Sequence, residues 1–256
     1  ISPTDTPFMS SIGKTKATAV LHEWQTDSLA AATLDNFAVE GDTASDATMS
    51  PTTRVGNRCQ IAQKTVKISG TLQAVDKAGR KSEKAYQLAK ASSEIKRDME
   101  TTLLSNQIAA NGNSTTARKL GGLQAWLNSN YSGGTNGVAG NLGTTARTNG
   151  TNRTFEEALL KTVIRSVYAS GGNPKVLMVN PAHKQLVSAF AGIAAQRFMA
   201  PSNAPTTIVS AADVYLSDFG AISIVPNRFM TSTNNCDETA FILDPDMAAI
   251  AYLRPF

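Results

Sequence analysis

A long amphipathic helix predicted near the middle of the chain limits most strongly what this polypeptide can fold into. Small and apolar residues recur at three- and four-residue spacing, which is typical of one helix face. They are Ala85, Leu88/Ala89, Ser92, Ile95, Met99, Leu103 and Asn106. Ser82 is the predicted N-cap, with Glu83 in the first turn. A helix over Ser82–Ala110 would be about 43 Å long. The apolar face of this helix is too narrow to form a hydrophobic core by itself.

Two alternating segments upstream of this helix predict a long β-hairpin. Lys14–Leu29 and Val55–Ile68 alternate with a period of two, as strands do. Between them, Ala30–Pro51 is rich in Ala, Thr, Ser, Gly and Asp, which is typical of a loop. Because an isolated two-stranded hairpin is marginal in water, this one is expected to rest on another surface.

Charge is segregated between these two parts of the chain. Residues 17–53 carry six acidic side chains and no Lys or Arg, whereas residues 54–119 carry thirteen Lys or Arg against five Asp or Glu. The net charge of +4 conceals this division. Such complementarity predicts head-to-tail pairing of identical chains. The predicted intersubunit contact residues are Glu23, Asp27, Asp35, Glu40, Asp42 and Asp46 on the hairpin, and Arg80, Lys81, Lys84 and Lys90 on the helix.

The basic stretch has two other interpretations. A run of charges is most often a solvated helix face. Phosphate contacts with DNA need only cationic side chains, so direct nucleic-acid binding is the second alternative. Acidic residues interleave with the basic ones, however, and Tyr86 is the one aromatic residue available for base stacking. We prefer a third interpretation, in which the helix binds the acidic hairpin of a neighbouring chain, because it explains both the acidic and the basic segment.

The second half of the chain predicts a compact α/β unit. A loop rich in Gly, Asn and Thr covers residues 121–153, and a capping box at Thr154–Glu157 opens a helix that Gly171–Gly172 ends. Asn180–Pro181 opens another helix, expected to reach Phe190. The predicted strands are Lys175–Val179, Val214–Leu216, Ala221–Val225, Ala240–Leu243 and Ala248–Leu253.

No motif for catalysis, metal binding or membrane insertion was found. His22 and His183 lack sequence-local partners, and no nucleophile elbow or phosphate-binding loop occurs. Asp244–Pro245–Asp246 predicts a turn, while Cys59 and Cys236 suit neither a disulfide framework nor a metal site, and favour a reducing cytoplasm. No run of 18 apolar residues is present. We therefore predict no enzyme activity, cofactor or metal. The gene product is expected to extend beyond both ends.

Several motifs, in this order and spacing, resemble the major head proteins of tailed bacteriophages, most closely a subgroup known from short-tailed phages. The resemblance covers nearly the whole chain. It lies in the motifs Pro3-Thr4-Asp5-Thr6-Pro7-Phe8, Gly56-Asn57-Arg58-Cys59-Gln60-Ile61, Lys64-Thr65-Val66-Lys67-Ile68-Ser69-Gly70-Thr71, Ala78-Gly79-Arg80, Lys96-Arg97-Asp98-Met99-Glu100 and Leu253-Arg254-Pro255-Phe256.

The resemblance implies an α+β Hong Kong 97-type capsid fold. Its parts would be an N-terminal arm (1–13), an extended E-loop hairpin (14–71), a peripheral domain containing the long spine helix (72–119 and 239–256) and a compact axial domain (120–238). Some members cross-link through a Lys–Asn bond, but no residue here is assigned to that chemistry.

The same resemblance implies a self-assembling shell protein. Pentamers and hexamers would form an icosahedral or elongated head around double-stranded DNA, assembled in the host bacterial cytoplasm and carried in the virion. The expected partners are further copies of the chain and packaged DNA at the inner face, with portal, scaffolding or decoration proteins left open and no membrane. The alternatives are a nucleic-acid-binding protein that uses the basic helix, and an encapsulin-like compartment shell.

Overall fold

The computed structural model describes residues 3–44, 46, 48–75, 79, 82–190 and 213–255, and within them helices and strands are mixed as in an α+β protein. The helices are α1 (Pro7–Ser11), α2 (Gly70–Ala74), α3 (Glu83–Leu103), α4 (Leu123–Trp126), α5 (Glu157–Ala169) and α6 (Pro181–Ser188). The strands are β1 (Gly13–Lys16), β2 (Leu21–Thr26), β3 (Thr53–Arg58), β4 (Val176–Val179), β5 (Val214–Ser217), β6 (Gly220–Pro226), β7 (Phe241–Leu243) and β8 (Ala249–Tyr252).

A four-stranded sheet, in the order β5-β6-β4-β7, organises the body of the protein. Strand β4 runs parallel to β6 and antiparallel to β7. Successive side chains of a strand point to opposite faces. Leu177 and Val179 accordingly enter one hydrophobic core and Met178 enters another. The sheet therefore separates two cores, and both of its faces are covered.

The core on the Met178 face joins the N-terminal arm to the end of α3. Phe8, Met9 and Ile12 are buried there together with Leu104 and Ile250. Helix α1 begins at Pro7, a residue that suits the first helical position. Directly after it, β1 pairs in parallel with β8, so the two ends of the chain meet in one small sheet.

The core on the Leu177 face lies beneath helices α5 and α6. Leu160 and Ile164 of α5 pack there with Val187 of α6, and Tyr215 and Ile222 of the sheet join them. The predicted start of α6 is confirmed, because Asn180 Oδ1 accepts a hydrogen bond from the His183 N–H at 2.7 Å. The helix ends at Ser188 rather than at Phe190.

Helix α3 is shorter than the sequence predicted. Its N-cap is Ser82, as expected, whose side chain accepts from the Ala85 N–H at 3.3 Å. The helix ends at Leu103 instead of Ala110, and its 21 residues make a rod of about 31 Å. Polar residues just beyond it bond elsewhere: Asn106 exchanges hydrogen bonds with the Arg147 backbone, and Gln107 donates to the Leu120 carbonyl. These contacts replace the last predicted turns.

The two long strands predicted for the hairpin are also shorter. Residues 14–29 divide into β1, which leaves the hairpin for β8, and β2, which pairs antiparallel with β3. The second strand ends at Arg58, and residues 59–68 form no strand. Lys64 instead forms an ion pair with Asp98 of α3 at 2.7 Å. Contacts with the body thus end the strand pairing that alternation alone predicted.

The capping box predicted at Thr154 does not form. Helix α5 begins at Glu157, and its N-cap Glu156 makes no side-chain capping bond. The preceding residues are held against the body, since Arg153 donates to Ser132 and the Phe155 ring packs on His183. The predicted stop is confirmed, with Gly171 at φ +86° directly after the helix.

Candidate interaction surfaces

The most exposed part of the described chain is the loop that joins β2 to β3, residues 27–52, called here the hairpin loop. Its described residues are all exposed, including large apolar side chains. Leu29 is 98% exposed and Phe37 81%, so the loop does not fold its apolar groups onto the body. The other exposed apolar residues are Leu34, Val39 and Met49. Clusters of this kind are typical of surfaces that become buried against a partner.

The predicted acidic contact residues lie on this hairpin. Glu23 is on β2, where its carboxylate lies 3.9 Å from Arg54 on β3. The other five are exposed in the hairpin loop and form no salt bridge with any described residue: Asp27, Asp35, Glu40, Asp42 and Asp46. Asp27 and Asp42 each accept a hydrogen bond from the N–H of the following residue.

The first half of α3 presents the predicted basic residues beside exposed apolar ones. Lys84 and Lys90 are exposed, and Lys90 lies 3.9 Å from Glu94 on the same helix. Leu88, which the sequence assigned to the buried stripe, is 63% exposed. Arg80 and Lys81 lie outside the described residues. The second half of the helix packs on the body, where Met99 and Leu103 contact the core on the Met178 face, and Ala91 in the first half is also buried.

The acidic and basic sets do not pair with each other within the part of the chain that the structure describes. Glu23 pairs with Arg54 on the neighbouring strand, and Lys90 pairs with Glu94 one turn along the same helix. Lys64, which follows β3, pairs with Asp98 of α3. The hairpin loop and the first half of α3 are therefore two separate exposed surfaces of opposite charge, each with apolar side chains.

Glu100 is a structural residue that the sequence analysis missed. It is fully buried on α3, where its Oε1 accepts from the Phe8 N–H at 2.7 Å and its Oε2 accepts from the Met9 N–H at 2.9 Å. Asn227 Nδ2 also donates to Oε1 at 2.7 Å. Burial raises the pKa of this carboxyl group, and the hydrogen bonds from Met9, Phe8 and Asn227 oppose the rise. Glu100 thus joins the arm, α3 and the turn after β6.

A cavity of about 480 Å³ lies between the loop 127–155, α5 and residues 235–242. Arg147 lines it, but its guanidinium donates to Thr239 Oγ1, Asn149 Oδ1 and the Asn235 carbonyl, which attaches the loop to the body. Burial lowers the pKa of Arg147. His183 also lines the cavity with its ring against Phe155, and burial lowers its pKa. Arg147 and His183 therefore hold the loop 127–155 against the body of the protein.

The two cysteines are spread apart and are both free. Cys236 is fully buried, and burial raises the pKa of its thiol to about 12, which makes it inert at neutral pH. Cys59 lies just after β3. Among the described residues, no three His, Cys, Asp or Glu side chains are grouped so that they could hold a metal ion. The described helices include none with the length and apolar character needed to cross a membrane.

Comparison with known proteins decides among the functional classes that these surfaces allow. The sequence model of the SU10 major capsid protein family matches residues 1–256. The chain belongs to this family. It is also 34% identical over 226 residues to the major capsid protein of Escherichia phage Phieco32, covering 75% of this chain and 63% of that protein. The chain thus spans less than two thirds of the length of this relative.

Membership of the SU10 major capsid protein family assigns the chain to a structural class of virion components and not to an enzyme family. The predicted resemblance to phage major head proteins is confirmed at the level of the family. The two exposed surfaces of opposite charge are accordingly candidates for contacts between subunits of a shell.

Proposed function

We propose that this chain assembles with copies of itself into the shell of a bacteriophage head that encloses double-stranded DNA. The shell would be built from pentamers and hexamers of a Hong Kong 97-type subunit. In that fold, residues 1–13 form the arm, 14–71 the E-loop, 72–119 and 239–256 the peripheral domain and 120–238 the axial domain. Family membership and the order arm, hairpin, long helix and compact α/β unit support the proposal.

The observation that carries the proposal is the hairpin loop. A monomeric protein rarely exposes several large apolar side chains in one extended segment. Leu29, Leu34 and Phe37 are more than 80% exposed, although the body of the protein has two hydrophobic cores of its own. Burial of such a side chain contributes about 1.5–3 kcal/mol, so a partner that covers the loop gains substantial free energy.

The receiving surface in this proposal is the first half of α3 on a neighbouring subunit. Leu88 and the aliphatic stems of Lys84 and Lys90 offer apolar area there, and the lysine heads face the carboxylates of the hairpin loop. A contact between two different surfaces of identical subunits is heterologous, and it closes into rings when the rotation allows. Several modest contacts for each subunit then reinforce one another.

Electron microscopy of the purified protein tests the proposal at its simplest. Negative staining is expected to show ring-shaped capsomers or closed shells at high protein concentration. A protein that stays monomeric at every concentration, while binding duplex DNA tightly and with a steep dependence on salt, would support the nucleic-acid-binding alternative instead. Closed shells assembled around a non-nucleic-acid cargo would support the compartment alternative.

Reversal of the helix charges is expected to weaken assembly. In Lys84→Glu/Lys90→Glu, two favourable contacts with each hairpin loop become repulsive. At about 0.2–1 kcal/mol for each exposed pair, the equilibrium constant of one contact should fall about tenfold at low salt. Light scattering against protein concentration would record this as a rise in the concentration needed for assembly.

Charge restoration on the hairpin provides the control. The variant Asp35→Lys/Asp42→Lys should also assemble more weakly by itself. When it is mixed with Lys84→Glu/Lys90→Glu, assembly should recover. Arg165→Glu/Arg228→Glu, which reverses two exposed charges elsewhere, should have a smaller effect. Undiminished assembly of Lys84→Glu/Lys90→Glu at low salt would reject the charge-pairing part of the proposal.

A further inference from the structure

The base of the hairpin is attached to the body through a backbone-like pair of hydrogen bonds. Asn57 on β3 donates from Nδ2 to the Gly121 carbonyl at 3.0 Å, and the Gly121 N–H donates to Asn57 Oδ1 at 2.8 Å. A side-chain amide here imitates a bridge between two strands. Gly121 is buried, so both of its polar groups depend on this pair.

A second set of bonds lies two residues beyond the end of β3. Gln60 Oε1 accepts from the Gln107 Nε2 at 2.9 Å and from the Leu120 N–H at 3.2 Å. Gln107 Nε2 also donates to the Leu120 carbonyl at 2.8 Å. Since Gln107 follows α3 by only four residues, this set connects the hairpin base with the C-terminal end of the helix.

The other strand of the hairpin is attached through an aromatic stack. The rings of Trp24 on β2 and Trp126 on α4 lie 5.4 Å apart between centroids, with their planes inclined by 25°. Offset stacks of this kind add about 0.5–1.5 kcal/mol beyond the area that they bury. Both strands of the hairpin therefore bind the same short segment, residues 120–126.

That segment is itself fixed in the protein interior. Gln124 is buried and donates from Nε2 to the carbonyl of Leu104 at 2.8 Å and to that of Asn234 at 3.0 Å. Leu104 is the C-cap of α3. A continuous series of packed and hydrogen-bonded groups thus runs from the hairpin base to the end of α3.

We propose that Asn57, Gln60, Gln107 and the Trp24–Trp126 stack form a positioning clamp that fixes the direction of the hairpin before subunits meet. The clamp couples this direction to the C-terminal end of α3, while the described residues of the hairpin loop stay exposed. Its role in assembly rests on the proposed function. A preset hairpin lowers the ordering cost of each intersubunit contact, because only the loop has to be immobilised on binding.

The indole pair supplies a direct readout in subunits kept unassembled at low concentration. Trp24 and Trp126 are the two tryptophans of the chain, so near-ultraviolet circular dichroism of the indole bands reports their stack. Trp24→Phe defines the signal without the stack. Asn57→Ala is expected to move the signal most of the way to that level. Gln25→Ala, an exposed residue of β2 next to Trp24, is the matched control and should leave the signal unchanged.

Hydrogen exchange gives a second readout at the other side of the clamp. In Asn57→Ala the amide of Gly121 should exchange about tenfold faster or more, because its acceptor is gone. Gln60→Ala should produce the same change at Leu120 with Asn57 intact, which keeps the test valid if one variant fails to fold by far-ultraviolet circular dichroism. Unchanged indole signal and unchanged exchange in both variants would overturn the clamp.

The readouts in free subunits separate the clamp from the proposed function. If the indole signal falls in Asn57→Ala and the concentration needed for assembly rises about tenfold, the clamp and its role in assembly are both supported. If the indole signal falls while assembly is unchanged, the claim that the clamp presets the intersubunit contact is wrong. Absence of any assembly by the unaltered chain would contradict the proposed function. The indole signal and the hydrogen exchange of free subunits would still test the clamp in that case.

Discussion

Replacement of three apolar residues of the hairpin loop by serine is expected to abolish shell formation. Leu34→Ser/Phe37→Ser/Val39→Ser removes side chains that are exposed in the free subunit and buried in the proposed contact. At about 1.5–3 kcal/mol for each buried side chain, one contact loses at least about 4 kcal/mol, a factor of about a thousand in its equilibrium constant. Sedimentation velocity should show subunits in place of large particles.

The same variant should keep its fold, which separates a lost contact from a lost structure. Because Leu34, Phe37 and Val39 are exposed, the free energy of unfolding is expected to change by less than about 0.5 kcal/mol. Thr33→Ser/Asn36→Ser/Thr48→Ser alters exposed polar residues of the same loop and should assemble normally. Particles of normal size and yield from the apolar triple variant would show that the loop does not form the contact.

Substitution of Glu100 is expected to give a large loss of stability. Glu100→Ala leaves the buried N–H groups of Phe8 and Met9 and the Asn227 amide without their acceptor. Each orphaned donor costs about 1–3 kcal/mol, partly offset by removal of a buried charge, so we expect a net loss of about 2–4 kcal/mol. Urea unfolding would measure it, and proteolysis should cut the arm faster. Glu94→Ala, a half-buried residue of the same helix that pairs only side by side with Lys90 among the described residues, is the matched control and should change stability by less than about 1 kcal/mol.

The pH dependence of stability gives an independent test of Glu100. Because its pKa is raised in the folded protein, the folded state holds this proton more tightly than the unfolded state. The contribution of Glu100 to stability is therefore fully present below the ordinary pKa of glutamate and declines as the pH rises through the raised value. Subtraction of the Glu100→Gln profile from that of the unaltered protein should show this decline. A flat difference would contradict the raised pKa.

Local sequence patterns predicted several elements of the fold correctly. Ser82 and Asn180 cap their helices through the side-chain bonds that these residues favour, and Gly171 ends α5 in the left-handed conformation. Each of these features depends on a few consecutive residues. The hairpin, the long helix and the α/β unit were also predicted in the right order.

Features that depend on distant residues could not be predicted. The end of α3 is set by bonds from Asn106 to Arg147 and from Gln107 to Leu120, and the end of β3 by contacts made from Gln60 onward. The burial of Glu100 could not be predicted, because nothing near it in the sequence shows that α1 covers it. The exposure of Leu88 was likewise hidden, because a helical stripe does not reveal whether its own chain or a partner covers it.

Cross-linking of two different chains, each with one engineered cysteine beside the buried Cys236, tests most directly whether the hairpin loop of one subunit lies on α3 of another. In a Cys59→Ser background, one chain would carry Phe37→Cys and the other Leu88→Cys, and a short bis-maleimide would be added to their mixture. We predict a product of twice the chain mass that contains both variants and disappears on dilution. No product from the mixture, together with dilution-independent cross-linking inside one chain that carries both cysteines, would contradict the intersubunit contact.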